Sequence, residues 1–416
     1  MNKAYAFFCR AYQTVFRAAL PILPYREPVQ LDGLASIVPL LAEKKISSVL
    51  LVTDASVRAL GLTGGLEDAL KAASVACAVY DKTVPNPTIA NIEEGRALYL
   101  SAHAQAIIAV GGGSVMDCAK VIGARVVKPR QSVQRMRGLL RVLKRTPLLI
   151  AVPTTAGTGS ETTLAAVITD SAAHHKYPIN DFALIPDYAV LDPELTRGLP
   201  PMLTATTGMD ALTHAIEAYV STANCDFTDP LAIHAIEMIM KDLVPSYNGD
   251  MAARDRMHNA QCLAGMAFSN ALLGIVHSMA HKTGAAFADY GAHIIHGAAN
   301  AMYLPKVIRF NSRTPEAKKR YADIARSLGL AGSHEEELVS SLIGRIEEMN
   351  SQLSIPSCIK DYEGGIISEE EFEEKLPSVA RLAVEDACTL SNPRKINAGE
   401  MEELLRCCYY GTEVDF

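Results

Sequence analysis

The sequence predicts an α/β domain built on a parallel sheet, followed by an all-α domain. Three observations carry this. Between residues 31 and 195, short β-rich apolar runs alternate with helical patterns, the texture of a parallel sheet covered on both faces. Beyond about residue 200, strand signals nearly vanish and helical periodicity dominates. Leu199-Pro200-Pro201 separates the two textures, and a proline pair breaks helices. A chain of 416 residues is too long for one core, so two domains are expected, 1–199 and 200–416.

The elements follow in order. Met1 to Arg10 is apolar, but Arg10, Gln13 and Arg17 interrupt the run. It lacks a long apolar stretch with a small-residue cleavage site, so an amphipathic helix is expected there and not a signal peptide. Residues 47–53 form a buried strand ending at Asp54, and 75–80 a second. Residues 89–101 read as a helix, 104–110 as a third strand running into Gly111-Gly112-Gly113-Ser114, and 148–152 as a fourth ending at Pro153. Helices are expected over 203–221, 228–243, 251–269, 275–286, 297–311, 315–328, 334–352, 368–385 and 397–409. Residues 128–145 are basic, with no acidic side chain. A solvated segment is the ordinary meaning, and attraction of a phosphate the sharper one.

Composition excludes several classes. The chain is 49% hydrophobic and 20% charged, which describes a globular protein and not a disordered one. A net charge of −7 argues against nucleic acid as the main partner. No apolar run reaches the ~18 residues a membrane span needs. Nine scattered cysteines without Cys-x-x-Cys spacing fit reduced thiols in the cytoplasm.

Two helical stretches carry chemistry. Asp210 and His214 are four apart, as are His277 and His281, so each pair shares a helix face. His293 and His296 follow; four of the 11 histidines thus lie within 277–296. An apolar helix is an expensive place for imidazole and carboxylate unless something pairs with them. Together these groups offer one carboxylate and three nitrogens to a divalent metal, and without thiolate they suit Fe(II), Zn or Ni.

The glycine turn 111–114 follows a strand and opens a helix, where free N–H groups and the helix dipole bind phosphate. Asp54 ends another strand, placed to bind a ribose 2′-OH and repel a 2′-phosphate, or simply to cap the next helix. Residues 153–163 are dense in hydroxyls and glycine directly after a strand, suited to short hydrogen bonds with a ribose or amide.

With these motifs the chain resembles the iron-containing (group III) alcohol dehydrogenases, of dehydroquinate-synthase-like architecture. The carrying segments are 51–54, 85–87, 111–120, 153–161, 208–217 and 274–281, and the resemblance spans roughly 25–410. It implies a dinucleotide-binding α/β domain and a metal-binding, catalytic helical domain. It implies that Asp210, His214, His277 and His296 bind the metal, Fe2+ or alternatively Zn2+. It implies that Asp54, Asn86, Gly112, Gly113, Ser114, Asp117, Thr154, Thr155, Thr158, Thr163, Lys176 and Leu195 line NAD, with NADP disfavoured by Asp54. His281 is the implied proton relay. The expected reaction is hydride transfer between nicotinamide and a small primary alcohol or aldehyde, in a cytoplasmic homodimer. A glycerol- or diol-type dehydrogenase and a non-catalytic nucleotide-binding assembly subunit are the alternatives. Two departures stand out: Ile295-His296-Gly297 replaces the family's Pro-His-Gly, and a longer spacer places His293 as a competitor of His296. Gly297 and the Ala298-Ala299-Asn300-Ala301 continuation favour His296.

Overall fold

The computed structural model describes residues 27–171, 175–287, 294–363 and 367–416. The expected N-terminal amphipathic helix and His293 lie outside them. The chain divides between Leu199 and Pro200 into two compact units.

The first unit is built on a six-stranded sheet, all parallel. Its strands are β1 (Val29–Asp32), β2 (Ser48–Val52), β3 (Ala76–Tyr80), β4 (Ala106–Gly111), β6 (Leu148–Pro153) and β9 (Tyr188–Leu191), in the order β1-β9-β6-β4-β2-β3. Alternate residues along the central strands feed two separate cores. Val49, Leu51, Ile108, Val110, Ile150 and Val152 pack on one face, beside helices α1 (Ile37–Glu43), α2 (Ala55–Ala59) and α3 (Gly64–Ala72). Leu50, Val52, Ile107, Ala109, Leu149 and Ala151 pack on the other, beside α4 (Ile89–Ser101) and α5 (Gly113–Val127). Burial on both faces is why these strands read as continuous apolar runs.

Strand order reverses between β2 and β4: β3 lies outward of β2, whereas β6 and β9 continue beyond β4. The crevice at the carboxyl ends of such a pair is where doubly wound sheets bind ligands. The Thr53 hydroxyl donates to the Val110 carbonyl at 2.8 Å and ties the two strand ends together.

Five strands escaped the sequence reading. β1 and β9 have four residues each and β1 is mostly exposed, so neither gives a long apolar run. A second sheet holds β5 (Gly138–Leu139), β8 (His175–Asn180) and β7 (Ala165–Asp170), with β7 and β8 antiparallel. β5 lies inside the basic segment, whose Val133, Met136 and Val142 are buried while Arg130, Arg135, Arg137, Arg141, Lys144 and Arg145 face solvent.

The second unit is helical: α6 (Pro201–Val220), α7 (Thr228–Tyr247), α8 (Met251–Ala271), α9 (Ile275–Ala286), α10 (His296–Asn311), α11 (Pro315–Ser327), α12 (Glu335–Gln352), α13 (Glu369–Glu385) and α14 (Ala398–Tyr410). These follow the expected spans closely. α6 is buried nearly all round from Thr204 to Val220 and packs against α7, α8 and α10. Gly208 makes one of these approaches possible, since a Cβ there would meet Leu243 Cδ1 at 2.1 Å. Among the described residues, no single helix is long and apolar enough to cross a membrane.

Candidate metal and cofactor sites

α6 presents Asp210, His214 and Glu217 at helical spacing along one stripe. All three are buried, at 5%, 6% and 3% exposure, so each needs a partner. α9 brings His277 and α10 brings His296 to the same point. Asp210 Oδ1 lies 4.0 Å from His214 Nε2 and 3.5 Å from the Nε2 atoms of both His277 and His296. One donor atom each from Asp210, His214 and His277 falls within a 4.8 Å cluster. The rings of His214 and His277 stack at 4.5 Å.

Asn300, one turn after His296, reaches into this cluster. Its amide nitrogen donates to Asp210 Oδ1 at 2.6 Å and sits 3.3 Å from the Nε2 atoms of His277 and His296. Its Oδ1 is buried without a hydrogen-bond partner among the described residues. A carboxylate oxygen and three imidazole nitrogens converging on one buried point suit a borderline divalent metal such as Fe(II) or Zn. Burial opposes the charge on Asp210, yet His214, His296 and His277 hold its carboxyl well below the ordinary range. Burial likewise opposes charge on His277, but Asp210 and Glu217 push it up to about 9.

His281 stands beside these groups and is not among them. Its ring stacks on His296 at 5.3 Å, 35% of the side chain is exposed, and Nδ1 lies 3.5 Å from Asp386 Oδ2. Asp386 also pairs with Lys282 at 2.7 Å.

In the α/β unit, most predicted cofactor residues gather at the carboxyl ends of β4 and β6. Gly112 leads into α5 with no side chain capping that helix, which leaves its first N–H groups to an anion. Asn86, at φ 57°, donates its N–H to Ser114 Oγ at 3.2 Å and accepts from Lys176 Nζ at 2.5 Å. The Thr154 N–H bonds the Gly111 carbonyl at 3.1 Å. Thr155 Oγ1 is buried without a hydrogen-bond partner among the described residues, and a Cβ on Gly112 would lie 3.8 Å from it. A Cβ on Gly113 would meet Thr158 at 3.2 Å. This hydroxyl-lined glycine turn fits a dinucleotide phosphate.

Asp117 and Thr163 sit beneath the loop and brace it. Asp117 accepts from Ser160 Oγ and the Val167 N–H, both at 2.8 Å. Lys120 donates to Ser160 Oγ and to Thr163 O and Oγ1 at 3.0 Å, and to Ala165 O at 2.8 Å. Asp54 Oδ1 takes the N–H groups of Ser56 and Val57 at 2.8 and 2.9 Å, the helix cap foreseen as its second reading. Leu195 is buried in the apolar layer that also holds Val57, Val110 and Val152.

Three polar residues of the helical unit were missed from sequence. Glu217 had a usable signal, the i+7 position from Asp210 on an apolar helix. Asn300 had a weaker one, four after His296. Asp386 had none, because only folding brings it to His281.

Comparison with known proteins identifies the family and the fold. A family model described as "Iron-containing alcohol dehydrogenase" matches residues 29–193. One described as "Fe-containing alcohol dehydrogenase family, C-terminal" matches 204–409. The chain is 46% identical over 386 residues to an NADPH-dependent butanol dehydrogenase of Clostridium saccharobutylicum, covering 92% of this chain and 97% of the relative. It also matches bifunctional aldehyde-alcohol dehydrogenases such as that of Escherichia coli, at 35% identity over 96% of this chain but only 48% of the relative. A solved 1,3-propanediol oxidoreductase superposes with a TM-score of 0.86 at 34% identity, over 93% of this chain and 99% of the other. A sulfoacetaldehyde reductase from Bifidobacterium kashiwanohense, solved with NAD+, gives 0.79 at 26%, over 92% and 98%.

Proposed function

The chain belongs to the iron-containing alcohol dehydrogenase family, and from that premise we propose that it is a metal-dependent, NAD(H)-linked dehydrogenase of small primary alcohols, or a reductase of the matching aldehydes. The observation that carries this is the convergence of Asp210, His214 and His277, with His296, on one point. These four residues would hold the metal, with Fe2+ as its identity. Gly112, Gly113 and Ser114 would hold the dinucleotide phosphates through main-chain N–H groups, with Asn86, Thr154, Thr155, Thr158 and Lys176 around them. When bound, the metal supplies a Lewis acid for the substrate oxygen and the nicotinamide exchanges a hydride with the substrate carbon.

The remaining work is proton handling. His281 carries the alcohol proton at Nε2, since Asp386 faces Nδ1 at 3.5 Å and orients the ring. Its partial exposure gives the proton a path to water, and an imidazole suits transfer near neutral pH.

Asp54 at the end of β2 supports NAD(H): a carboxylate there would repel a 2′-phosphate. The NADPH-dependent butanol dehydrogenase favours the opposite preference. Comparing kcat/KM for the two cofactors decides between them. NAD(H) preference in the wild type, and improved NADP(H) use in Asp54→Gly, are expected; a wild-type NADP(H) preference overturns the assignment.

Metal content tests the ligand set. His296→Ala should lose metal and NADH-dependent aldehyde reduction together. A metal-replete, active His296→Ala would remove it from the set. The free thiols, among them Cys77, Cys118 and Cys408, suit the reducing cytoplasm. Light scattering after size exclusion tests the expected homodimer.

A further inference from the structure

Glu217 is buried, at 3% exposure, on the apolar helix α6. A carboxylate in such a place survives only if its lone pairs are filled. Three donors fill them, all from the start of α9. The Val276 N–H reaches Oε1 at 2.7 Å, the Gly274 N–H reaches Oε2 at 2.9 Å, and His277 Nδ1 lies 2.6 Å from Oε2. Gly274 precedes α9 with no side-chain cap of its own. The carboxylate of another helix therefore caps α9, where the helix dipole also favours negative charge. The approach is close enough that a Cβ on Gly274 would meet Glu217 Oε1 at 2.7 Å and Asn392 Oδ1 at 3.0 Å. Asn392 completes the clasp by accepting from the Ile275 N–H at 3.4 Å and exchanging bonds with Asn311.

The two roles converge on one ring. Because Glu217 is an acceptor, it holds a proton on His277 Nδ1 and turns Nε2 toward the proposed metal site, 3.5 Å from Asp210 Oδ1. We infer that Glu217 is a positioning residue for the metal, setting the tautomer, orientation and basicity of His277 while holding the first turn of α9 in place. This rests on the reading that His277 is a ligand. Outer partners of ligating histidines commonly act so, and here the same group also anchors the backbone that carries the histidine.

Cobalt(II) is a suitable probe, since its visible bands report the ligand geometry. Glu217→Gln keeps the volume and one acceptor but loses the charge. It should bind Co2+ roughly 10–100-fold more weakly in chelator competition, with a shifted visible spectrum, and His277→Ala should lose Co2+ altogether. If Glu217 served only as a helix cap, Glu217→Gln would lower the melting temperature of the metal-free protein and leave Co2+ binding alone. Affinity within about threefold of wild type, well inside the usual range for such partners, with an unchanged spectrum and an empty His277→Ala, would overturn the inference. Full Co2+ retention by His277→Ala would overturn the ligand reading itself, and this inference with it.

Discussion

Lys120 holds an ammonium where water does not reach, at 1% exposure. Its four bonds to Ser160, Thr163 and Ala165 fasten the hydroxyl-rich loop to α5. Burial pulls its pKa down to about 8, against the opposing pull of Asp117 and Glu161, and burial pushes Glu161 up to about 7. Lys120→Met should cost about 3–5 kcal/mol, the usual penalty for stripping one partner from a buried charge network. Urea unfolding of the α/β unit measures it, and NADH affinity should fall while metal content holds. The sign of the pH effect follows from the lowered pKa. Between pH about 8 and the ordinary lysine value near 10.4 the unfolded chain binds the extra proton, so this residue's contribution to stability rises with pH there. Lys120→Met should lack that rise relative to wild type. The family resemblance implied that Asp117 lines the cofactor; the bonds it makes were not legible, since Val167 and Ser160 reach it only in the folded sheet.

Elements were more legible than contacts. The nine helices of the second unit among the described residues were placed, because long amphipathic or buried segments announce themselves by period. β1, β5 and β9 were not, because strands of four, two and four residues carry little apolar signal, and β7 and β8 were not, because polar residues such as Thr169, Asp170, Lys176 and Asn180 interrupt them. Asp210, His214 and His277 of the proposed ligand set stood out within two i, i+4 pairs and His296 came with the family resemblance, but what makes α6 and α10 meet was not legible. Gly297 supplies that meeting: a Cβ there would stand 2.0 Å from the Thr206 carbonyl oxygen and 3.3 Å from Asp210 Cβ. Backbone cannot yield as a side chain can. Gly297→Ala should therefore push α10 from α6, cost about 1–3 kcal/mol as overpacking does, and strip metal by drawing His296 and Asn300 from Asp210. Gly344 in α12 is the control, with nothing within 4 Å of its Cβ position; Gly344→Ala should stabilise the protein by roughly 0.5–1 kcal/mol and keep its metal. Metal content and melting temperature of the pair check this, and a metal-replete Gly297→Ala would contradict it.

At the scale of the whole molecule, two compact units each own a core and, on our reading, each own one ligand. Among the described residues the Asp210 cluster is built from α6, α9 and α10, and the glycine turn joins β4 to α5 beside the loop after β6, with Asn86 and Lys176 next to it. A ligand that binds the folded state adds about 2.7 kcal/mol at a hundred times its Kd, and that stabilisation first reaches the unit whose residues it touches. Two such units also make a single all-or-none transition a poor description of unfolding. Hydrogen exchange separates them. Divalent metal added to stripped protein should slow exchange in α6, α9 and α10, with 111–117 nearly unchanged; NADH should slow exchange at 111–117 and 153–163. Lys120→Met should blunt the NADH footprint alone and Glu217→Gln the metal footprint alone. An NADH footprint confined to the helices, or a metal footprint spread evenly over the sheet, would contradict this division of labour.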